Sequence, residues 1–183
     1  LEYRREKLQP SFVVDLLTAL CAVDQALAFR AVVHILTLER VYDMDAILVP
    51  AARALLEHFK DHRPEAVEQL RLACLEHLRA RIAEPLEPFP DWRRPHEVPC
   101  GCPLCTQLSL FLADPGVGVW RLKAKASDRD HVEETIRKAR CDVDTVTERR
   151  GSPHSLICTK NEASFERRSA QRAQDLKDVA ALG

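Results

Sequence analysis

Glycine is scarce in this chain, with only 5 in 183 residues. That excludes a low-complexity chain and argues against an architecture dominated by strands and tight turns, where glycine supplies positive φ. Aromatic residues make up 5% of the chain, and the paired aromatics on which a single-stranded nucleic acid stacks are missing. No stretch approaches the 18 or so uninterrupted apolar residues of a membrane-spanning helix, so no membrane partner is expected. The first seven residues, Leu1-Glu-Tyr-Arg-Arg-Glu-Lys7, are mostly charged and carry no secretory signal. The opening residue is Leu in place of Met, and the expectation is that the sequence is a region of something longer. Net charge is only −1, too small for a global field that recruits nucleic acid or an anionic membrane. Gly-rich phosphate loops, a Gly-X-Ser-X-Gly elbow and a His-Glu-X-X-His pair are all lacking.

What the chain does have is an apolar content of 46%, enough for a packed core, and seven cysteines. The cysteines are not spread as a disulfide framework. Cys21 and Cys74 sit alone in apolar helical patterns, where a free thiol behaves as a small hydrophobe. The other five follow residue 99. This distribution predicts a reduced, intracellular protein, cytoplasmic or nuclear, with one local cysteine site.

The first ninety residues read as helices. Ser11 is placed as the cap of a run with Phe12, Val13, Leu16, Leu17 and Leu20 on one face. A second run from Asp24 carries Leu27, Phe29, Val32, Val33, Ile35 and Leu36. Asp43 or Asp45 opens a third, which Pro50 kinks or divides, and Pro64 suits the first turn of a fourth, with Val67, Leu70, Leu72, Leu75, Leu78 and Ile82 at helical spacing. Short connections predict antiparallel helical hairpins, as in a solenoid-like array or a bundle.

Pro85, Pro88 and Pro90 mark the best boundary, so that residues 1–84 form a helical segment and 85–95 an extended linker. Residues 96–183 then form a small α+β module. It is predicted to hold a helix over Cys105–Ala113, a strand over Val117–Ala124, a helix from Ser127 or Asp128 through Ile136, and a β-hairpin. The hairpin joins Asp142–Glu148 to His154–Lys160 through Arg149-Arg150-Gly151-Ser152-Pro153. A charged, peripheral helix over Glu162–Leu182, with Phe165, Leu176 and Val179 on its sparse apolar face, closes the chain.

Chemistry concentrates in His96-Glu-Val-Pro-Cys100-Gly-Cys102-Pro-Leu-Cys105. Two thiolates separated by two residues can share one zinc ion at about 2.3 Å each. Cys102 and Cys105 are the strongest ligands, because Pro103 stiffens the turn and the amides of the following helix favour thiolate. His131 is the preferred third ligand. The fourth is open among Cys100, Cys141 and Cys158, with His96 and His154 as further alternatives. A small module with a thin core has a physical need for such a staple, so the zinc is read as structural. Glu97, Glu133 and Glu134 could act as a base only if the metal kept an open position.

Two other readings stand beside it. Cys102 and Cys105 could form a thiol–disulfide pair, although the redox motif should follow a buried strand and Arg94-Pro-His-Glu-Val-Pro precedes it. Arg149 and Arg150, in a half that carries 14 Lys+Arg against 11 Asp+Glu after residue 117, could touch nucleic acid. The latter is disfavoured by the modest charge. His58 and His62 share a helical face but have no further ligand at suitable spacing.

The order Cys100-Gly-Cys-Pro-Leu-Cys105, Leu110-Phe-Leu-Ala-Asp-Pro115, Arg129-Asp-His131, Thr147-Glu-Arg-Arg-Gly-Ser-Pro-His-Ser-Leu156 and Thr159-Lys160 resembles a region found C-terminal to the dioxygenase domain. That domain belongs to large 2-oxoglutarate/Fe(II)-oxygenase-like proteins of fungi and some bacteria. The resemblance covers residues 95–160, and the helical first half is similar to what precedes that region. It implies an accessory region that meets a protein partner or the rest of its parent chain. It does not carry the dioxygenase activity over. The nominal iron motif, His131-Val-Glu133, falls in a predicted helix with no strand-rich barrel around it. The expected function is thus a non-catalytic, zinc-stabilised accessory or interaction region.

Overall fold

The computed structural model describes residues 8–94 and 96–183. The charged start Leu1–Lys7 and Pro95, the last residue of the expected linker, lie outside them. The fold is α+β and falls into two compact units.

The first unit runs through Pro85 and includes Ala170–Gly183. Helix α1 (Pro10–Val23) starts at Pro10, whose missing N–H costs nothing at a first helical position, so Ser11 lies inside the first turn instead of capping it. Asp24 then ends one helix and begins the next. Its amide donates to the Leu20 carbonyl (2.8 Å), while its carboxylate accepts from the amides of Ala26 (2.9 Å) and Leu27 (3.1 Å) at the start of α2 (Gln25–Thr37). Pro50 divides the third run as expected. With no N–H at Pro50 to continue the ordinary ladder, Met44–Leu48 winds as a π-helical turn in which Leu48 donates to Asp43 (3.1 Å), and α3 (Val49–His58) follows. Helix α4 (Glu65–Ala83) begins after Pro64 with Glu65 and Glu68 in its positively polarised first turn.

Val13, Leu17 and Cys21 of α1, Ala28, Val32 and Ile35 of α2, Leu55 of α3, and Val67, Leu70, Cys74 and Leu78 of α4 build one core. Each full burial of a Leu or Val contributes about 1.5–3 kcal/mol. Phe12, Leu27, Val33 and Leu72, expected on the buried faces, are exposed. These helices are apolar around much of their circumference, so periodicity alone does not select the face.

The second unit, Leu86–Ser169, contains α5 (Pro103–Ala113), β1 (Val119–Lys123), α6 (Ala126–Lys138), β2 (Val143–Glu148), β3 (Ser155–Lys160) and the start of α7 (Ala163–Leu182). The sheet is antiparallel in the order β1-β3-β2, with Leu122 opposite Leu156 and Val146 opposite Ile157. One sheet face places Leu122, Leu156, Cys158 and Val143 against Leu108, Phe111 and Leu112 of α5 and Val132 and Ile136 of α6. The other exposes Val119, Arg121, Lys123 and Val146.

Two expectations change here. The Pro-rich stretch, expected as an extended linker, groups with the second unit, to which residues 86–94 are fastened. Trp92 and Arg94 donate backbone bonds to Pro115 (3.2 Å) and Leu112 (2.8 Å). The buried Arg94 guanidinium reaches the carbonyls of Asn161 (2.6 Å), Asp91 (2.8 Å) and Arg93 (2.9 Å), and stacks over Phe89. Gly118 leaves room for Trp92, whose ring would lie 3.1 Å from a Cβ there.

The C-terminal helix is not peripheral either. Its Ala170–Gly183 portion belongs to the first unit and buries Asp175, Asp178 and Leu182, whereas Leu176 is exposed. Arg81 and Arg53 neutralise the two buried carboxylates.

Candidate metal centre

Cys102 occupies the N-cap of α5 and Pro103 its first position, which pre-sets the backbone for the turn that carries Cys105. The Cys105 amide donates to the Cys102 sulfur, and that bond, with those from Cys105, His131 and Cys100 side chains, pulls the Cys102 thiol down to about 6. Burial acts oppositely on Cys105 and pushes its thiol up to about 11. Cys100 lies two residues before the cap, beside Gly101. The packing of α5 on α6 through Leu108, Val132 and Ile136 then brings His131 over the knuckle.

The four side chains converge. His131 Nε2 lies 3.5 Å from Cys100 Sγ, 3.4 Å from Cys102 Sγ and 3.3 Å from Cys105 Sγ. All four donor atoms fall within 4.8 Å of one another, and every cysteine is free. Around a tetrahedral ion with sulfur at about 2.3 Å and imidazole nitrogen at about 2.05 Å, the sulfur-to-nitrogen edge is about 3.6 Å. The cluster therefore has close to the spacing that three thiolates and an imidazole adopt on one ion. Among the described residues no second group of three or more such ligands is found.

Thr135 belongs to the site although sequence reasoning did not single it out. Its hydroxyl donates to the His131 carbonyl (2.8 Å) and accepts from the Cys105 thiol (3.7 Å). Its place one turn after His131 is the signal that could have found it.

The remaining candidates lie elsewhere. Cys158 is fully buried on β3, and burial holds its thiol up at about 12. Cys141 closes α6 by donating its amide to Ile136 (3.0 Å), and its thiol is raised by burial. His96 Nε2 accepts the Asp142 amide (3.0 Å), and His154 Nδ1 bonds the Gly151 carbonyl (2.9 Å). Arg149 and Arg150 are exposed in the β2–β3 turn. Of the carboxylates considered as a base, Glu133 accepts from the Thr145 hydroxyl (2.7 Å) and Glu134 pairs with Arg137 (2.6 Å) and Lys138 (3.2 Å). Neither is free to serve the cluster. No helix among the described residues is long and apolar enough to cross a membrane. Compared with protein-family models, curated proteins and solved structures, the chain matches none.

Proposed function

We propose that residues 86–169 form a zinc-stabilised, non-catalytic interaction module within a larger intracellular protein, held by Cys100, Cys102, Cys105 and His131. The observation that carries this is the convergence of three sulfurs and one imidazole nitrogen at tetrahedral spacing. Thiolate-rich sets favour zinc over hard cations, and four protein ligands fill the coordination sphere, which marks a structural site. Zinc there would tie the N-terminus of α5 to α6 across a core of nine buried residues. The accessory role is supported by the resemblance of residues 95–160 to the region beyond a dioxygenase domain.

Elemental analysis of the reduced, purified chain should find one zinc per molecule. Cobalt substitution should give the thiolate charge-transfer and tetrahedral d–d bands of a site with three sulfurs and one nitrogen, lost in Cys102→Ser. A folded, metal-free protein whose stability chelators leave unchanged would overturn the assignment. The low-lying Cys102 thiol beside a protonated Cys105 supports a second reading, a dithiol redox pair. A metal-free protein that forms a reversible Cys102–Cys105 disulfide would establish that reading instead.

A further inference from the structure

One end of the β-sheet carries charge that the metal centre does not use. There β1 leaves the sheet at Lys123, the β2–β3 turn carries Arg149 and Arg150, and α6 begins beyond Lys125. Arg121 and Arg129 complete a group of six cations. Only two carboxylates pair with them, Glu148 with Arg121 (2.7 Å) and Asp128 with Lys125 (3.7 Å). Among the described residues no carboxylate lies within 4.0 Å of Lys123, Arg129, Arg149 or Arg150.

Arg129 is the unusual member, at 9% exposure. Its NH1 donates to the carbonyls of Ala124 (2.6 Å) and His154 (3.4 Å), which places the guanidinium between the exit of β1 and the β2–β3 turn. Its Nε is buried without an acceptor. Burying a cation with neither counter-charge nor a full set of acceptors is costly unless an anion completes it. The thirteen-residue α6, which carries Arg129 in its first turns, starts without a side-chain cap. Asp128 and Arg129 both donate to Lys125 (3.2 Å each), and the amides of Ala126 and Ser127 have no acceptor among the described residues. The uncapped start of α6 and a guanidinium without a counter-charge thus adjoin, joined through the Ala124 carbonyl that Arg129 holds.

The outer strands β1 and β2 flank β3 and lie about 10 Å apart. A lone phosphate cannot span Lys123 and the Arg149-Arg150 turn at that separation, whereas a chain of phosphates can. Beside these cations the open sheet face presents Val146, 64% exposed, opposite Ile157, and Val119, 50% exposed, opposite Thr159, with Arg121 across Ile157 from Val146 and with Asp144 and Glu148 on the β2 side. The apolar patches of Val146, Ile157 and Val119 can meet bases, while the cations at the end of the sheet meet phosphates.

We propose that this end of the sheet binds the sugar–phosphate backbone of a single-stranded nucleic acid, with one phosphate at the α6 N-terminus over Arg129. Lys123, Lys125, Arg149 and Arg150 track the neighbouring phosphates. Without stacking aromatics, recognition is tolerant of sequence and driven by charge.

Anisotropy of labelled oligouridine and oligothymidine, titrated with the full chain, tests this. About four neutralised phosphates give a log–log salt slope near −3, so affinity falls about 50-fold between roughly 50 and 200 mM salt. The Arg149→Ala/Arg150→Ala double variant should weaken binding about tenfold and flatten the slope by about 1.4. Arg137→Ala, which removes a cation paired with Glu134 outside the patch, should bind as the parent chain does. Because Arg129→Ala could unfold the module, Lys123→Glu/Lys125→Glu provides the second variant and should abolish binding with the thermal melt unchanged. Absence of binding at about 50 mM salt overturns the proposal. So does binding that both double variants retain, or capture by anionic lipid vesicles or phosphopeptides in preference to the oligonucleotides.

Discussion

A single backbone angle makes the sharpest residue-scale prediction. Helix α6 ends in a pair of bonds, Arg140 to Arg137 (3.2 Å) and Cys141 to Ile136 (3.0 Å), that require a left-handed residue at position 140, and Arg140 takes it at φ 51°. Glycine fits that conformation without the Cβ penalty, so Arg140→Gly should stabilise the protein by about 1 kcal/mol in urea unfolding. A destabilised variant would mean that the guanidinium contributes contacts which outweigh the strain. At the metal centre the same scale separates what spacing reveals from what it conceals. Cys102 and Cys105 are legible because two intervening residues and Pro103 define a local turn, and His131 because it faces back from the next helix. The fourth ligand is not settled by sequence: Cys100, Cys141 and Cys158 compete, with His96 and His154 behind them, until the packing of α5 on α6 is known. Cys158 points into the core and His96 is occupied by the Asp142 amide. Cys100→Ala should therefore lower zinc affinity by about 100-fold or more in a competition titration, beyond the loss seen for outer-shell partners. Cys158→Ala should keep the metal and lose only packing stability.

Among elements, helix α7 shows most clearly how charge can hide packing. Sequence periodicity assigns it Phe165, Leu176 and Val179 as an inward face, yet two buried positions are Asp175 and Asp178. Carboxylates read as solvent-facing unless their partners are known, and those partners lie far away in sequence. Arg81 grips Asp175 with two bonds (2.7 and 2.8 Å) and Asp45 with two more (2.6 and 2.8 Å), while Arg53 meets Asp178 (3.0 Å). Boundaries set by local chemistry, such as Asp24 between α1 and α2 or Pro50 after the π-turn, are by contrast visible in the sequence. The Arg81 guanidinium holds the carboxyls of Asp175 and Asp45 below their ordinary values. Groups with depressed folded pKa values stabilise the protein above their unfolded value, near 4, and lose that contribution as pH falls through the folded value. Docking of α7 should accordingly weaken below about pH 4. Arg81→Met leaves Asp175 buried and unpaired, at a cost of about 3 kcal/mol. Its sign should reverse as well, since a desolvated lone carboxylate prefers its proton, so mild acidification should stabilise the variant. Urea melts from pH 7 to pH 4 read both effects, and a parallel pH profile for the two proteins would contradict the clamp.

For the whole molecule, the two units differ in what keeps each of them folded. The helical unit buries apolar side chains from four helices and the end of α7 around one core, whereas the second unit has a core of nine buried residues. Small cores of that kind leave little margin after chain entropy and commonly depend on a bound metal. With zinc bound as proposed, its removal by a strong chelator should therefore abolish hydrogen-exchange protection over residues 86–169 while residues 8–85 stay protected. Far-UV helicity should fall only in part. The division should also run inside α7, with protection lost up to about Ser169 and kept from Ala170 onward, because the helix contributes to both units. Acid should imitate the chelator. Metal loading requires Cys105, whose thiol lies at about 11 without metal, to give up its proton, so protons compete with zinc and affinity declines as pH falls. Cys102, at about 6, is already a thiolate at neutral pH and adds to the competition only below that value. Acid release should consequently begin in the second unit, before the Asp175–Arg81 clamp starts to weaken below about pH 4. Simultaneous loss of protection in both units, under chelator or acid, would show that the metal supports the whole chain instead of one module.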